Sequence, residues 1–307
     1  MNTQHFDRRS VLYFAAAAAV ASCRTATNGA EHELESELAR LEGGGRLGVA
    51  VLDTADGSVR GRRLDERFAL CSTFKLVLAA MVFERAERGG RALGARLSFG
   101  AADLVSHGPV TKAAVEAAAA RGASEAALSL VELAEAAQKT SDGVAANLLL
   151  RDFGGPGALT AFCRAHGDNA TRLDRYEPEM NDVLAGDERD TTTPRAMAQL
   201  VGRLLGGVLA PAARATLREW MIATNTGAAR VRAGLPSGWI AGDKTGTGGS
   251  VAGGVTVKCN DVVWIEPPGR APLVVAAYYD TGALAEWPSD AEQAVLADVG
   301  RCLARLR

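Results

Sequence analysis

The fold prediction starts from one stretch, Ser72-Thr73-Phe74-Lys75-Leu76-Val77-Leu78-Ala79-Ala80-Met81-Val82. Its nearly continuous apolar character is typical of a buried helix, and Gly89-Gly90 provides the stop. A lysine three positions after a serine lies on the same helix face, and a serine hydroxyl needs a base to become a useful nucleophile. Ser72 and Lys75 are therefore a candidate nucleophile and base. The alternative is a chance match, with Ser72 as an N-cap and Lys75 at the surface.

Strand patterns lie on both sides of a helical middle region. Alternating or continuous apolar runs predict strands at 46–53, 58–63, 255–265 and 271–280, and Asp56-Gly57 is a hairpin turn signal. Helical patterns cover 33–42, 131–139, 142–153, 158–166, 194–205, 211–221 and 290–306. The Ala-rich stretch 113–127 is expected to be a surface helix or loop.

The expected architecture is an α+β fold, of the α/β sandwich type. One antiparallel sheet would be built from both chain ends and flanked by helices, using residues 33–71 and 222–307. An all-helical middle subdomain would occupy residues 72–221.

Composition restricts the class of protein. The 307 residues are 48% hydrophobic and 23% charged, as in an ordinary globular chain that can bury a sizeable core. The formal net charge of −2 gives no basic footprint for nucleic acid or an anionic membrane.

The N-terminus is predicted to be an export signal rather than part of the fold. Arg8-Arg9 precede an apolar run at 11–21, which is of signal-peptide length and too short to span a bilayer. The paired arginines resemble a twin-arginine signal, and Val20-Ala21-Ser22-Cys23 resembles a lipobox that would place a lipid on Cys23. A plain signal peptide is the alternative. With cleavage before Cys23, residues 1–22 would be the signal peptide and residues 23–32 a tether.

The cysteines give no framework for disulfides or metal. Their positions are Cys23, Cys71, Cys163, Cys259 and Cys302, without a Cys-x-x-Cys pair or metal-ligand spacing. We expect small buried apolar side chains at these positions, and neither a metal nor a cofactor.

Two further motifs carry candidate chemistry. Ser141-Asp142-Gly143 precedes a helical segment, so that an N-cap is its simplest explanation. Lys244-Thr245-Gly246-Thr247-Gly248-Gly249 places a positive charge, hydroxyls and backbone N–H groups together, which suits an oxyanion and a carboxylate. A plain Gly-rich hairpin is its alternative.

Together, and in this order, the three motifs resemble those of class A β-lactamases and penicillin-binding proteins. A fourth segment decides between these two branches. Residues 172–181 (Arg-Leu-Asp-Arg-Tyr-Glu-Pro-Glu-Met-Asn) and 187–192 look like the omega loop of class A β-lactamases, which penicillin-binding transpeptidases lack. The resemblance runs from about residue 40 to residue 305.

The resemblance implies a catalytic role for each motif. Ser72 would attack the β-lactam carbonyl of a penicillin or cephalosporin, and either Lys75, or Glu177 acting through a water, would take its proton. Ser141 would pass a proton to the departing ring nitrogen, with Lys244 holding Ser141 and attracting the substrate carboxylate.

The other implied roles concern the hydrolytic water and substrate contacts. Glu177 and Asn181 would hold the water that frees the acyl-enzyme, and an Arg175–Asp190 pair would close the loop neck. Backbone N–H groups of Ser72 and Thr247 would form the oxyanion hole. The substrate-binding residues implied are Asn181, Thr245, Gly246, Thr247, Arg230 and His107.

Several positions depart from the family pattern. Gly143 stands where the family commonly has Asn, and His107 replaces an aromatic gate residue. The strand expected after Lys244 would read 251–254, without the usual guanidinium, so that Arg230 is predicted to supply it. Cys71 matches one half of a disulfide known in some members, but the partner position holds Gly248, and we expect no such bond.

Two rival functions remain in view. A penicillin-binding DD-peptidase would be acylated but released slowly, and the loop that carries Glu177 speaks against it. A β-lactam sensor needs a transmembrane signalling segment, and the chain has no run of about 18 apolar residues. The expected location is the periplasm or the cell envelope.

Overall fold

The computed structural model describes residues 32–104 and 107–305. The predicted signal peptide with Arg8, Arg9 and Cys23 lies outside the described residues, as does all of the predicted tether except residue 32. Within the described ranges, no helix is both long and apolar enough to cross a membrane.

Nine strands occur in the described residues. They are β1 Arg46–Asp53, β2 Val59–Arg62, β3 Phe68–Ala69, β4 Arg96–Gly100, β5 Glu125–Ser129, β6 Thr191–Thr192, β7 Ile240–Ser250, β8 Val255–Glu266 and β9 Leu273–Asp280. Five of them form one antiparallel sheet in the order β2-β1-β9-β8-β7. Both ends of the described chain therefore share one sheet, as the sequence predicted.

Helices cover both faces of this sheet, and further helices pack around the helix Phe74–Glu87 in the middle region. The helices are α1 (residues 32–41), α2 Phe74–Glu87, α3 Pro109–Ala119, α4 Leu130–Lys139, α5 Gly143–Phe153, α6 Pro156–Ala165, α7 Pro194–Arg203, α8 Pro211–Ile222 and α9 Asp290–Arg305. Strand β1 shows the division: Leu47, Val49 and Val51 face one core, whereas Ala50 and Leu52 face the other. This period of two is the signature of a strand covered on both sides. The α+β sandwich is confirmed.

The middle subdomain is mainly helical rather than all-helical, which corrects one part of the prediction. Strands β4 and β5 form an antiparallel pair within it, connected through α3, and β3 pairs with β6. Within the Ala-rich stretch 113–127, α3 ends at Ala119 and β5 begins at Glu125. Glu125-Ala126-Ala127-Leu128-Ser129 has little strand propensity, and pairing with β4 overrides that local preference.

Helix α2 is the buried axis of the larger core. Its residues from Phe74 to Glu84 are all buried, including Lys75, which is 1% exposed. A charged group is costly to bury without partners. We therefore expect polar side chains around Lys75, and these mark the candidate site.

Candidate active site

Ser72 and Lys75 meet at the start of α2. A short 3-10 turn, Cys71–Thr73, leads directly into the helix. Lys75 Nζ donates to Ser72 Oγ at 2.9 Å and to the Ser141 carbonyl oxygen at 2.8 Å. The surface-lysine alternative is therefore excluded, because Lys75 is buried and bonded to the serine.

Glu177 lies on the other side of the same pair. Its Oε1 is 2.7 Å from Lys75 Nζ and 3.5 Å from Ser72 Oγ. Its Oε2 accepts a hydrogen bond from Asn181 Nδ2 at 2.7 Å. One carboxylate thus contacts the lysine, the serine and an amide, so that its position relative to Ser72 Oγ is well defined.

Asn147 fixes the backbone of Glu177. Its Oδ1 accepts from the Glu177 N–H at 3.0 Å, and its Nδ2 donates to the Glu177 carbonyl oxygen at 2.8 Å. The sequence analysis missed this residue. The available signal was an asparagine inside the apolar run of α5, where a buried amide needs specific partners.

The neck of the loop carries the ion pair that the resemblance implied. Arg175 Nε donates to Asp190 Oδ2 at 2.6 Å. Asp190 Oδ1 also accepts backbone N–H groups of Asp174 and Arg175, at 2.7 and 3.0 Å. Because Asp190 is fully buried, these bonds tie both ends of the loop together around a satisfied carboxylate.

Ser141 lies between two lysines. Lys244 Nζ donates to Ser141 Oγ at 3.1 Å, and Lys75 Nζ lies 3.4 Å from the same oxygen. The N-cap of α5 is Asp142, whose side chain accepts from the Ala145 N–H at 2.8 Å. The hydroxyl of Ser141 is therefore not used for capping and remains available at the site.

Burial lowers the pKa of Lys244. Its complete burial, and then the positive charge of Lys75 nearby, lower the pKa of Lys244 to about 7. Near neutral pH both protonation states of Lys244 are accessible. A group with such a pKa can exchange protons at physiological pH, as acid–base residues must.

Arg230 and β7 form another side of the site. Arg230 is 4% exposed, and its Nη1 donates to the carbonyl oxygens of Gly246 at 3.0 Å and Asn260 at 2.7 Å. Its Nη2 donates to Thr247 Oγ1 at 2.6 Å, and Thr245 Oγ1 pairs with Thr226 Oγ1 at 2.7 Å. This side presents a guanidinium and hydroxyls together.

Gly246 allows β7 to approach the nucleophile. A Cβ at Gly246 would lie 2.9 Å from the Leu70 carbonyl oxygen and 3.2 Å from Cys71 Cβ. Close approach of the strand to the turn before Ser72 thus requires glycine here.

These residues surround one cavity of about 630 Å³. Of the predicted site residues, the cavity is lined by Ser72, Lys75, His107, Ser141, Glu177, Asn181, Arg230, Thr245 and Thr247. Lys244 and Gly246 lie just behind this lining, through their contacts with Ser141 and Arg230. The exposed His107 is 3.3 Å from the Thr140 carbonyl oxygen through Nε2. The cavity is also lined by residues that were not predicted from the sequence, namely Thr140, Pro178, Thr226, Trp287, Pro288 and Gln293.

The strand expected at 251–254 was wrong. These residues form the exposed turn between β7 and β8, and β8 begins only at Val255. On β8, the residue paired with Thr247 is Cys259, which carries no guanidinium either. The prediction that Arg230 supplies a guanidinium does not depend on a strand at 251–254.

The described cysteines behave as small buried side chains. Cys71, Cys163, Cys259 and Cys302 are buried free thiols. A Cβ added at Gly248 would lie 3.0 Å from Cys71 Sγ, so the thiol fills the space beside that glycine. Among the described residues, no group of three or more His, Cys, Asp or Glu side chains is arranged to hold a metal ion.

Comparison with known proteins gives a consistent result. Residues 31–305 match the model of the Beta-lactamase enzyme family. β-Lactamase CTX-M-8 of Citrobacter amalonaticus is 44% identical over 251 residues, which cover 81% of each chain. β-Lactamase L2 of Stenotrophomonas maltophilia is 46% identical over 264 residues, covering 85% of this chain and 81% of the relative.

Solved structures agree in fold as well as in sequence. An ancestral (GNCA) class A β-lactamase superimposes with a TM-score of 0.79 at 49% identity, covering 88% of this chain and 98% of the other. A putative class A β-lactamase, PenP from Rhodopseudomonas palustris, gives a TM-score of 0.79 at 47% identity and covers 89% and 98% of the two chains. The chain therefore belongs to the class A serine β-lactamases, a family of hydrolases that open the β-lactam ring.

Proposed function

We propose that the protein hydrolyses penicillins and cephalosporins through an ester on Ser72, and so confers resistance to these antibiotics. The observation that carries the proposal is the contact of Ser72 Oγ with both Lys75 Nζ, at 2.9 Å, and Glu177 Oε1, at 3.5 Å. A hydroxyl placed between an amine and a carboxylate is the arrangement of an activated nucleophile.

Acylation requires a base, an oxyanion hole and a proton donor for the leaving nitrogen. The proton of Ser72 Oγ passes to Lys75, or to Glu177 through a water, while the oxygen attacks the lactam carbonyl carbon. Backbone N–H groups of Ser72 and Thr247 stabilise the developing oxyanion. When the ring C–N bond breaks, Ser141 gives its proton to the nitrogen and regains one from the lysines beside it. The product is a Ser72 ester.

Deacylation is the task of Glu177. It takes a proton from a water held between its carboxylate and Asn181, and the resulting hydroxide attacks the ester carbonyl. The ester C–O bond then breaks and Ser72 regains its proton. The support for this role is the fixed position of Glu177, whose backbone is held by Asn147 and whose Oε2 accepts from Asn181 at 2.7 Å.

Substrate binding centres on the carboxylate next to the fused ring. Arg230 and protonated Lys244 supply positive charge, and Thr245 and Thr247 supply hydroxyls. A guanidinium offers a fixed fork of donors that a lysine cannot reproduce. Gly246 keeps the strand close to Ser72, and His107 forms a side wall where family members carry an aromatic residue.

We also propose export and a cell-envelope location. The twin arginines at 8 and 9 would direct transport, and Cys23 would carry a lipid in the mature, monomeric enzyme, which lacks residues 1–22. Residues 23–32 would connect the anchor to the catalytic domain.

Turnover of the chromogenic cephalosporin nitrocefin tests the proposal. Purified protein should show many turnovers per molecule, and Ser72→Ala should abolish them. A burst equal to one molecule of product per protein, without turnover, would instead support a DD-peptidase or a β-lactam sensor.

A further inference from the structure

Trp287 is an exposed aromatic side chain on the wall of the catalytic cavity. Its side chain is 71% exposed, the highest value among the exposed large apolar residues of the described chain. It nevertheless lines the cavity, together with Pro288. None of the ring–ring or cation–ring contacts among the described residues involves it. An unstacked indole at the mouth of a substrate cavity leaves a face free for a ligand.

The segment that carries Trp287 is held in place at both ends. Glu286 Oε1 accepts a hydrogen bond from the Val251 N–H at 3.0 Å, which ties the segment to the β7–β8 turn. After Trp287, Ser289 Oγ accepts from the Glu292 N–H, and Glu292 Oε2 accepts from the Ser289 N–H at 2.6 Å. This reciprocal pair is a capping box that fixes the start of α9. Trp287 is thus presented at a defined place.

That place is the carboxylate-binding end of the cavity. A Cβ at Gly249 would lie 2.5 Å from the Ala285 carbonyl oxygen, so the Trp287 segment packs against β7 two residues beyond Thr247. Two residues of strand span about 7 Å. Thr247 and Trp287 both line the cavity, so the Trp287 segment adjoins the part of β7 that faces the substrate.

Charge and chemistry indicate which part of a substrate would contact Trp287. In a cephalosporin, the ring carbon next to the carboxylate-bearing carbon carries the C3 substituent, so a carboxylate held by Arg230 and Thr247 keeps this substituent in the part of the cavity that Trp287 also lines. Glu286 and Asp290, both exposed, flank the indole in sequence. An indole face beside carboxylates favours a flat, positively charged group.

We infer that Trp287 is a specificity-determining residue that favours cephalosporins with a cationic aromatic C3 substituent. The inference rests on the proposed function. Contact with an indole face at an exposed site contributes a modest gain, corresponding to about two- to fivefold in kcat/KM. Penicillins have no C3 substituent of this kind and gain nothing from the contact.

Cephaloridine and cephalothin test the inference, because they share the same nucleus and the same thienylacetamido side chain. They differ only at C3, where cephaloridine carries a pyridinium and cephalothin a neutral acetoxy group. Trp287→Ala should lower kcat/KM for cephaloridine about two- to fivefold and leave cephalothin and benzylpenicillin unchanged. Trp287→Phe should retain most of the preference. Leu284→Ala is the matched control, since Leu284 is also exposed, at 58%, and lies on the same segment but does not line the cavity.

The outcomes separate this inference from the proposed function. If Trp287→Ala alters both cephalosporins equally, or neither, while benzylpenicillin is still hydrolysed, the specificity role of Trp287 is wrong and the proposed function stands. If the unmodified enzyme hydrolyses none of the three substrates, the proposed function itself fails. Thermal unfolding of each variant should match that of the parent, because the side chain is exposed.

Discussion

Replacing Arg230 by alanine should weaken catalysis without dismantling the site. Nη1 of Arg230 is already engaged by the carbonyl oxygens of Gly246 and Asn260, at 3.0 and 2.7 Å. Nη2 is bonded to Thr247 Oγ1 at 2.6 Å, and since both residues line the cavity we expect Nη2 to bind the substrate carboxylate. The substrate therefore loses one charge-assisted hydrogen bond, which contributes about 1.5–3 kcal/mol. This range corresponds to a decrease in kcat/KM of about 10- to 150-fold.

Steady-state kinetics with benzylpenicillin and cephalothin measure this loss. Arg230→Lys should recover only part of it, because a lysine retains the charge but cannot reproduce the planar fork. Adding Gly253→Arg to the Arg230→Ala variant should restore nothing, since residue 253 lies in the exposed β7–β8 turn outside the cavity. Inactivation by clavulanate should slow in parallel, because its carboxylate would use the same anchor. A change below about twofold for both substrates would refute the assignment of Arg230.

The remaining predictions concern pH, stability and export. With its pKa lowered to about 7, Lys244 loses its charge as pH rises, so kcat/KM should fall on the alkaline side, and Lys244→Arg should abolish that decline in a pH–rate profile. Asp190→Ala removes a buried carboxylate from its guanidinium partner, and should lower the free energy of unfolding in urea by about 3 kcal/mol; no change would contradict the structural role of the pair. Changing Arg8 and Arg9 to Lys should trap active enzyme in the cytoplasm, whereas unchanged periplasmic activity would indicate the general secretory route. Cys23→Ser should release enzyme from the membrane fraction, and a parent enzyme that is already fully soluble would exclude the lipid anchor.

The sequence alone was sufficient to predict the part of the site that rests on local geometry. Helical spacing places Lys75 beside Ser72. The contact of Lys244 with Ser141 was expected only from the family resemblance, and the structure contains it. The sheet shared by the two chain ends followed from strand patterns at both termini and helical patterns between them. These are short-range signals, in which hydrophobic period and motif spacing agree.

Features that depend on tertiary contacts were not predictable in this way. Strand β5 has the composition of a helix and is a strand only because β4 pairs with it. Asn147 lies 30 positions from Glu177, and nothing in either local sequence joins them. Trp287 reaches the cavity because the turn at Val251 holds its segment, and that turn itself was mistaken for a strand.

The central claim is that Ser72 forms an ester which Glu177 then hydrolyses. The most direct test is intact-protein mass spectrometry of Glu177→Ala after brief mixing with benzylpenicillin, followed by peptide mapping. The account predicts a persistent adduct of one benzylpenicillin per protein, located on Ser72, with turnover reduced by about 10²- to 10⁴-fold, as expected for loss of a general base. The parent enzyme should show no lasting adduct. A Glu177→Ala variant that carries no adduct and turns over benzylpenicillin at the parent rate would contradict the account.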